Sequence, residues 1–220
     1  MTSPRRTWRD LGWLILFGIG FGFVEAAVVV YLRALYYPKG FSFPLVLPAT
    51  SIMRVELVRE AATILMLFAV AMVARRRAWA RFGAFCVVFG VWDLVYYLGL
   101  RAAIAWPESL ATWDVLFLLP SPWLGPVWTA ALIAASLVLA GAWILRADDL
   151  GHRPRVRWWS WLGALASFAL LLASFLIAGR WMTKGGGDPA GFPLFPYLAG
   201  FALGWLMFYA AFVRGARGGR

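Results

Sequence analysis

This chain of 220 residues is poor in the side chains from which most metal and nucleophilic sites are built. It has one histidine and one cysteine. A structural zinc site needs four convergent ligands, and an iron–sulfur cluster or a haem held by two histidines needs more of these residues than the chain has. The sequence has no G-x-S-x-G motif, and His152 falls in a predicted loop. We therefore predict no metal site and no cofactor, with one alternative left open, a hard cation held by carboxylates.

Charge is scarce as well. Charged residues make up 14% of the chain and hydrophobic residues 63%, whereas a soluble domain is about a quarter charged and about half apolar. The acids are the rarer sign, with 10 Asp and Glu against 21 Lys and Arg. The basic residues stand in short segments between long apolar runs, which is typical of membrane topology signals. We predict an integral membrane protein whose partner is the lipid bilayer, and no nucleic-acid partner.

The apolar runs predict an all-α fold, a polytopic helical bundle that crosses the membrane six times. Each run has the roughly 20 residues that a hydrocarbon core of about 30 Å requires. Helices are predicted because lipid cannot satisfy exposed backbone N–H and C=O groups. We treat residues 1–220 as a single transmembrane domain. The predicted spans are 11–35, 52–74, 79–104, 125–145, 158–178 and 194–213.

The basic residues also predict the orientation of the chain. Fourteen of the 21 Lys and Arg fall in four segments that a six-span topology places on one side: the N-terminal segment, the second and fourth connections, and the C-terminal tail. The positive-inside rule puts that side in the cytoplasm. We expect a bacterial inner-membrane protein with both termini cytoplasmic.

The third connection, Trp106–Pro126, differs from a simple loop. Ser109 is a candidate N-cap for a short helix that would run to Leu119 and end at Pro120. A helix of that length is too short to cross the membrane. We expect it to lie in the interface or to dip into the membrane as a re-entrant segment.

A motif containing a carboxylate occurs twice. The pattern F-G-x-x-(acid)-x6-L-R-A begins at Phe21, with Glu25 as its acid, and again at Phe89, with Asp93 as its acid. A charged side chain at the centre of a membrane helix costs roughly 2.5–3.5 kcal/mol on insertion scales. The repetition suggests tandem helical hairpins of about 68 residues, an arrangement that transporters use.

Depth along the helices places the acids together. At ~1.5 Å per residue, Glu25, Glu60 and Asp93 all lie roughly 21 Å from the cytoplasmic end of their spans. Charged residues in spans usually face a bundle interior or a wet cavity. We predict a polar pocket for a ligand or ion that opens to the non-cytoplasmic side. The predicted lining is Glu25, Glu56, Arg59, Glu60, Asp93, Tyr96 and Tyr97, and the predicted mouth is Arg33, Arg101, Trp106 and Asp114.

These features support several functional hypotheses. The leading one is transport, or binding of a small molecule or ion, in this pocket. A membrane-embedded enzyme acting on a lipid-linked or phosphate-bearing substrate is the first alternative, so enzymatic activity stays open. A second alternative is a non-catalytic subunit that meets a membrane-protein partner through spans four to six. The charged residues could also form a salt-bridge network that only fixes helix packing.

Overall fold

The computed structural model describes residues 4–38, 40–41, 50–119, 121–185 and 191–214. Helices form along the apolar runs and end where polar residues, glycine or proline follow. The elements are α1 (Pro4–Tyr36), α2 (Thr50–Ala74), α3 (Ala78–Ile104), β1 (Trp113–Phe117), β2 (Trp123–Pro126), α4 (Val127–Asp149), α5 (Trp158–Gly185) and α6 (Leu194–Phe208), which continues as a π-helical segment, Tyr209–Arg214.

The predicted fold class is confirmed. Within the described ranges, six helices are long and apolar enough to cross a membrane, and the chain is a multi-pass membrane protein. The largest differences from the predicted bounds are in α1, which begins seven residues before Leu11, and in α5, which continues seven residues beyond Ala178. Helix α4 extends four residues beyond Leu145, and this last turn is polar.

Helix α3 is the centre of the bundle, and it packs against α1, α2 and α4. Val87, Val88 and Leu100 on this helix are fully buried. Small residues let the neighbouring backbones approach closely. A Cβ added at Gly22 of α1 would lie 2.6 Å from the Trp92 carbonyl oxygen, and one at Gly90 would meet the backbone of α4. Gly22 therefore lets the two acid-bearing helices, α1 and α3, lie side by side, and Gly90 lets α4 approach α3.

Helices α5 and α6 form a second pair with its own packing. The Ser167 hydroxyl on α5 donates a hydrogen bond to the Gly200 carbonyl oxygen on α6 at 2.7 Å. The pair joins the rest through β2 and through buried Tyr197, whose hydroxyl donates to the Thr129 carbonyl oxygen at 2.8 Å. An apolar cavity of about 630 Å³ also lies between the pair and helices α3 and α4.

The predicted helix from Ser109 to Leu119 is wrong, because this segment forms an antiparallel β-hairpin. Asp114 pairs with Gly125 and Val115 with Leu124, and the register shifts before Phe117. Ser109 lies in a tight turn, where its hydroxyl accepts a hydrogen bond from the Ala111 N–H at 3.2 Å. Aromatic and β-branched residues favour strands. Strand pairing also satisfies backbone groups that would otherwise be orphaned near lipid.

Candidate functional site

A cavity of about 200 Å³ lies between α1, α2, α3 and β1, at the end of the bundle opposite the chain termini. Among the described residues, five carboxylates and two guanidinium groups line it, together with aromatic rings from α1, α3 and β1. We call it the acidic cavity. Its charged lining residues are Glu25, Arg33, Glu56, Arg59, Glu60, Asp93 and Asp114, and its aromatic lining residues include Tyr36, Trp92, Tyr96, Tyr97 and Phe117.

Helix α2 brings three of these charged residues to the cavity because it buries only one stripe. The buried positions recur every three or four residues, as one face of a helix requires. They are Glu56, Glu60, Thr63, Leu67 and Ala71. The opposite face is apolar and exposed, as expected for a surface turned to lipid.

Arg59 is the central cation of the acidic cavity. Its Nε donates to Oε2 of Glu56 at 2.8 Å, and its Nη1 donates to Oε1 of Glu25 on the neighbouring helix. The Thr63 hydroxyl also donates to Oε2 of Glu25 at 3.4 Å. One guanidinium group therefore pairs with two carboxylates, offsets one of their two negative charges and ties α1 to α2. Charge-assisted hydrogen bonds of this kind are stronger than neutral ones.

The Glu60 carboxylate accepts hydrogen bonds from the backbone of the hairpin. The Leu118 N–H, directly after β1, donates to both carboxylate oxygens of Glu60, at 2.9 and 3.1 Å. The hairpin is thus docked onto α2 at the wall of the cavity. This contact also satisfies a backbone donor that the strand pairing leaves free.

Arg33 and Asp114 form a buried pair at the rim. Nη2 of Arg33 donates to Oδ1 of Asp114 at 3.1 Å, and the two side chains are 10% and 3% exposed. The guanidinium carbon lies 3.4 Å from the ring centroid of Trp106 and 4.4 Å from that of Phe41, the geometry of a cation–π contact. Two aromatic rings therefore cover this cation.

The surroundings of Asp114 have opposing effects on the pKa of its carboxyl group. Burial raises the pKa of Asp114 to about 6, against the Arg33 charge and the Val115 N–H, which both lower it. The hydroxyl groups of Tyr96 and Tyr97 also favour its charged form. The net effect is a carboxyl group that titrates closer to neutrality than an exposed aspartate does.

Asp93 differs from the other four carboxylates. It lines the acidic cavity on the same face of α3 as Tyr96 and Tyr97, three and four residues further on. Within the described ranges, its carboxylate makes no ion pair and accepts no hydrogen bond. The neighbouring charge on Asp114 has the same sign and repels it. Asp93 is half-buried, and a carboxylate in this setting lacks a partner to compensate its partial loss of water.

The structure brings the seven predicted lining residues into one cavity, and Arg33 and Asp114 with them. Arg101 and Trp106 do not line it. Nη1 of Arg101 donates to the carbonyl oxygens of Ala105 at 2.5 Å and Pro107 at 3.1 Å, so this exposed side chain holds the loop after α3. Trp106 instead covers Arg33. That these residues form a functional site stays a prediction.

Sequence reasoning missed Trp92, Phe117 and the Leu118 N–H as parts of the cavity wall. Trp92 directly precedes Asp93, and its separation of four residues from Tyr96 places it near the same face of α3. Phe117 and Leu118 carried no such signal, because their positions depend on the register of a hairpin that was predicted as a helix.

The donor set of the cavity suits binding better than metal coordination. In the part of the chain that the structure describes, no three His, Cys, Asp or Glu side chains converge as metal ligands would. The carboxylates outnumber the guanidinium groups by three, so the cavity is electronegative. Comparisons of the chain with protein-family models, with curated proteins and with solved structures give no match.

Proposed function

We propose that this chain binds a small ligand or an ion in the acidic cavity and carries it across a bacterial inner membrane. In this proposal the cavity opens to the non-cytoplasmic side, and both termini are cytoplasmic. The basic loops support that orientation through the positive-inside rule.

The observation that carries the proposal is the unpaired carboxylate of Asp93 in a cavity that already has an excess of acids. Ionisable groups inside a membrane protein are expensive and usually mark a ligand or ion pathway. A packing network alone needs each charge to be compensated. Arg59 binds both Glu25 and Glu56 and compensates one of their two charges, and the Leu118 N–H meets the condition in part for Glu60. Asp93 does not meet it, and a bound ligand or a proton would supply the compensation.

A phosphate-bearing substrate fits the cavity less well. Both guanidinium groups that line it are engaged, Arg59 with two carboxylates and Arg33 with Asp114. An anion would have to displace these partners and face the remaining acids. The geometry therefore gives no specific support to an enzyme acting on a lipid-linked or phosphate-bearing substrate.

The subunit alternative also lacks a specific observation in its favour. Gly163, Gly200 and Gly204 are small residues of spans five and six that a partner helix would approach, and they are used inside the chain. A Cβ at Gly163 would meet Met207, and one at Gly204 would lie 2.8 Å from the Ser167 hydroxyl. These small residues serve the packing of α5 against α6.

Native mass spectrometry of the gently solubilised full chain tests binding. We expect a small-molecule or ion adduct on the wild type that is absent from the Glu25→Gln/Asp93→Asn variant. Asp148→Asn is the matched control, since Asp148 pairs with Arg77 at the opposite end of the bundle. An adduct shared equally by all three proteins would contradict a site in the acidic cavity. A co-purifying protein without any small adduct would support the subunit alternative.

Uptake into proteoliposomes tests whether the chain transports a ligand. Liposomes containing the wild type or Asp148→Asn should accumulate at least one component of a small-molecule extract more than liposomes containing Asp93→Asn do. The lumenal contents are measured by mass spectrometry. Equal contents in all three preparations would contradict transport and leave binding in place.

A further inference from the structure

This inference rests on the proposed function and names the ligand class. We infer that the acidic cavity binds a small organic ammonium ion, with its charge beside Asp93 and its apolar body against the aromatic wall. The inference joins three independent features: the sign of the charge, the chemistry of the wall and the size of the space.

The sign of the charge favours a cation. Among the described residues that line the cavity, Glu25 and Glu56 share the single positive charge of Arg59, and Asp114 pairs with Arg33. Glu60 has only a backbone N–H donor, and Asp93 has no partner in the described ranges. A cation that enters would offset one of these two charges and would be attracted by both. An anion would meet net repulsion, because both guanidinium groups on the wall already pair with carboxylates, although Nη1 of Arg33 is buried without a hydrogen-bond partner among the described residues.

The wall favours an organic cation. Trp92 and Tyr96 flank Asp93 on α3, and Phe117 approaches from β1 with its ring centroid 6.3 Å from that of Trp92. Aromatic faces attract ammonium groups and also bury apolar carbon. The same part of the fold already holds one cation in this way, since Trp106 and Phe41 cover the guanidinium of Arg33.

The size of the space excludes a good fit for a bare metal ion. The cavity has about 200 Å³, whereas a water needs only about 10–15 Å³ and a cavity of about 150 Å³ accepts benzene. A ligand somewhat larger than benzene therefore fills it. Within the described part of the chain, the acids also do not converge as metal ligands.

Three compounds of the same shape and different charge test this inference: benzylammonium, benzyl alcohol and benzoate. Their affinities for the full chain in lipid nanodiscs are measured by isothermal titration calorimetry. We expect saturable binding of benzylammonium at least tenfold tighter than that of the other two. Asp93→Asn should weaken benzylammonium binding at least tenfold, and Asp148→Asn should leave it unchanged.

The outcomes separate the ligand class from the proposed function. Benzoate or benzyl alcohol binding as tightly as benzylammonium would overturn the organic-cation inference and leave a ligand site in place. The organic-cation inference would also be overturned, and a ligand site would stay in place, if none of the three compounds bound while native mass spectrometry still showed an adduct on the wild type. Failure to bind with no adduct would overturn both. Should Asp93→Asn not fold, the order of the three affinities on the wild type decides, since it needs no variant.

Discussion

Among single residues, Arg59 has the greatest influence on the charge of the acidic cavity. It is the one side chain in the described ranges that binds two of the cavity carboxylates, one on its own helix and one on α1. The Arg59 side chain is 25% exposed, and those of Glu25 and Glu56 are 12% and 10% exposed. Removal of the guanidinium would therefore leave two buried charges without their main partner.

We predict that Arg59→Met lowers the free energy of unfolding by about 3 kcal/mol, the lower end of the range for breaking a buried ion pair. The triple variant Arg59→Met/Glu25→Gln/Glu56→Gln should recover most of the loss, because it removes the stranded charges as well. Thermal and denaturant unfolding in a mild detergent measure both effects.

The matched control is Arg77→Met. Arg77 pairs with Asp148 at 3.1 Å, but its side chain is 57% exposed. Pairs of this kind contribute about 0–1 kcal/mol. An Arg59→Met protein as stable as the control would show that the cavity carboxylates do not need this cation, and the electrostatic account of the site would have to be revised.

The repeated motif predicted some residue environments and not others. Glu25 and Asp93, its two acids, reach the same cavity, because equal depth on adjacent helices brings side chains together. Its two arginines diverge. Arg33 is buried with Asp114, whereas Arg101 is exposed and binds loop carbonyl groups. The motif determines the depth and the helix face of each arginine, but the partners of its guanidinium group depend on the segments that pack around the end of the helix.

Among the elements, the hairpin of β1 and β2 is held to α2 by hydrogen bonds to one side chain, Glu60. The Leu118 N–H donates to both oxygens of Glu60, and Glu60 is 7% exposed. A hydrogen bond to a buried charged group contributes about 1.5–3 kcal/mol. This contact holds the strand end that forms one wall of the acidic cavity.

We predict that Glu60→Ala speeds hydrogen exchange of the Leu118 amide roughly ten- to hundredfold, the change that corresponds to losing such a bond. Glu60→Gln should leave exchange near the wild-type rate, since its amide oxygen still accepts from the N–H. Hydrogen–deuterium exchange of the full chain in nanodiscs measures both. Equal rates in Glu60→Ala and wild type would mean that the hairpin is held by its aromatic contacts instead.

Sequence patterns predicted the helices of the fold and failed at this hairpin for a physical reason. A span of 20 or more apolar residues has one stable form in lipid, a helix. The segment from Ser109 to Leu119 is short and mixed, so its local preferences are weak. Strand β1 forms because β2 and α5 offer a surface to pack against: Val115 packs against Leu124 and Ala178, and Trp123 of β2 stacks on Phe175. That surface does not exist in the local sequence.

At the scale of the whole molecule, the two ends of the bundle differ in their ionic contacts. The acidic cavity occupies one end. At the other end, near the termini, Nη1 of Arg75 donates to Oδ1 of Asp149 at 2.7 Å, and Arg75 also lies 3.4 Å from Asp10. These three residues connect the end of α2 to α1 and α4, and we call them the terminal-side latch. The proposed transport across the membrane requires this end of the bundle to open while the acidic cavity closes.

We predict that the terminal-side latch limits access to the bundle from the side of the chain termini. In a Cys86→Ala background, an Ala71→Cys thiol would lie about one turn before Arg75, at a position that is fully buried in the wild type. We expect Arg75→Gln to increase several-fold the rate at which a membrane-impermeant thiol reagent labels this cysteine from the terminal side. The physical reason is that loss of the guanidinium frees α2 from α1 and α4.

Arg77→Gln is the control for this measurement, since it removes a neighbouring, mostly exposed ion pair and leaves Arg75 in place. Saturation of the cavity with benzylammonium should lower the labelling rate of the wild type if occupancy and terminal-side opening exclude one another. An Arg75→Gln rate equal to that of Arg77→Gln would show that this end is closed by apolar packing around Leu67 and Ala71 rather than by charge. In that case α2 would be a fixed wall of the bundle, and carriage would require movement of another helix.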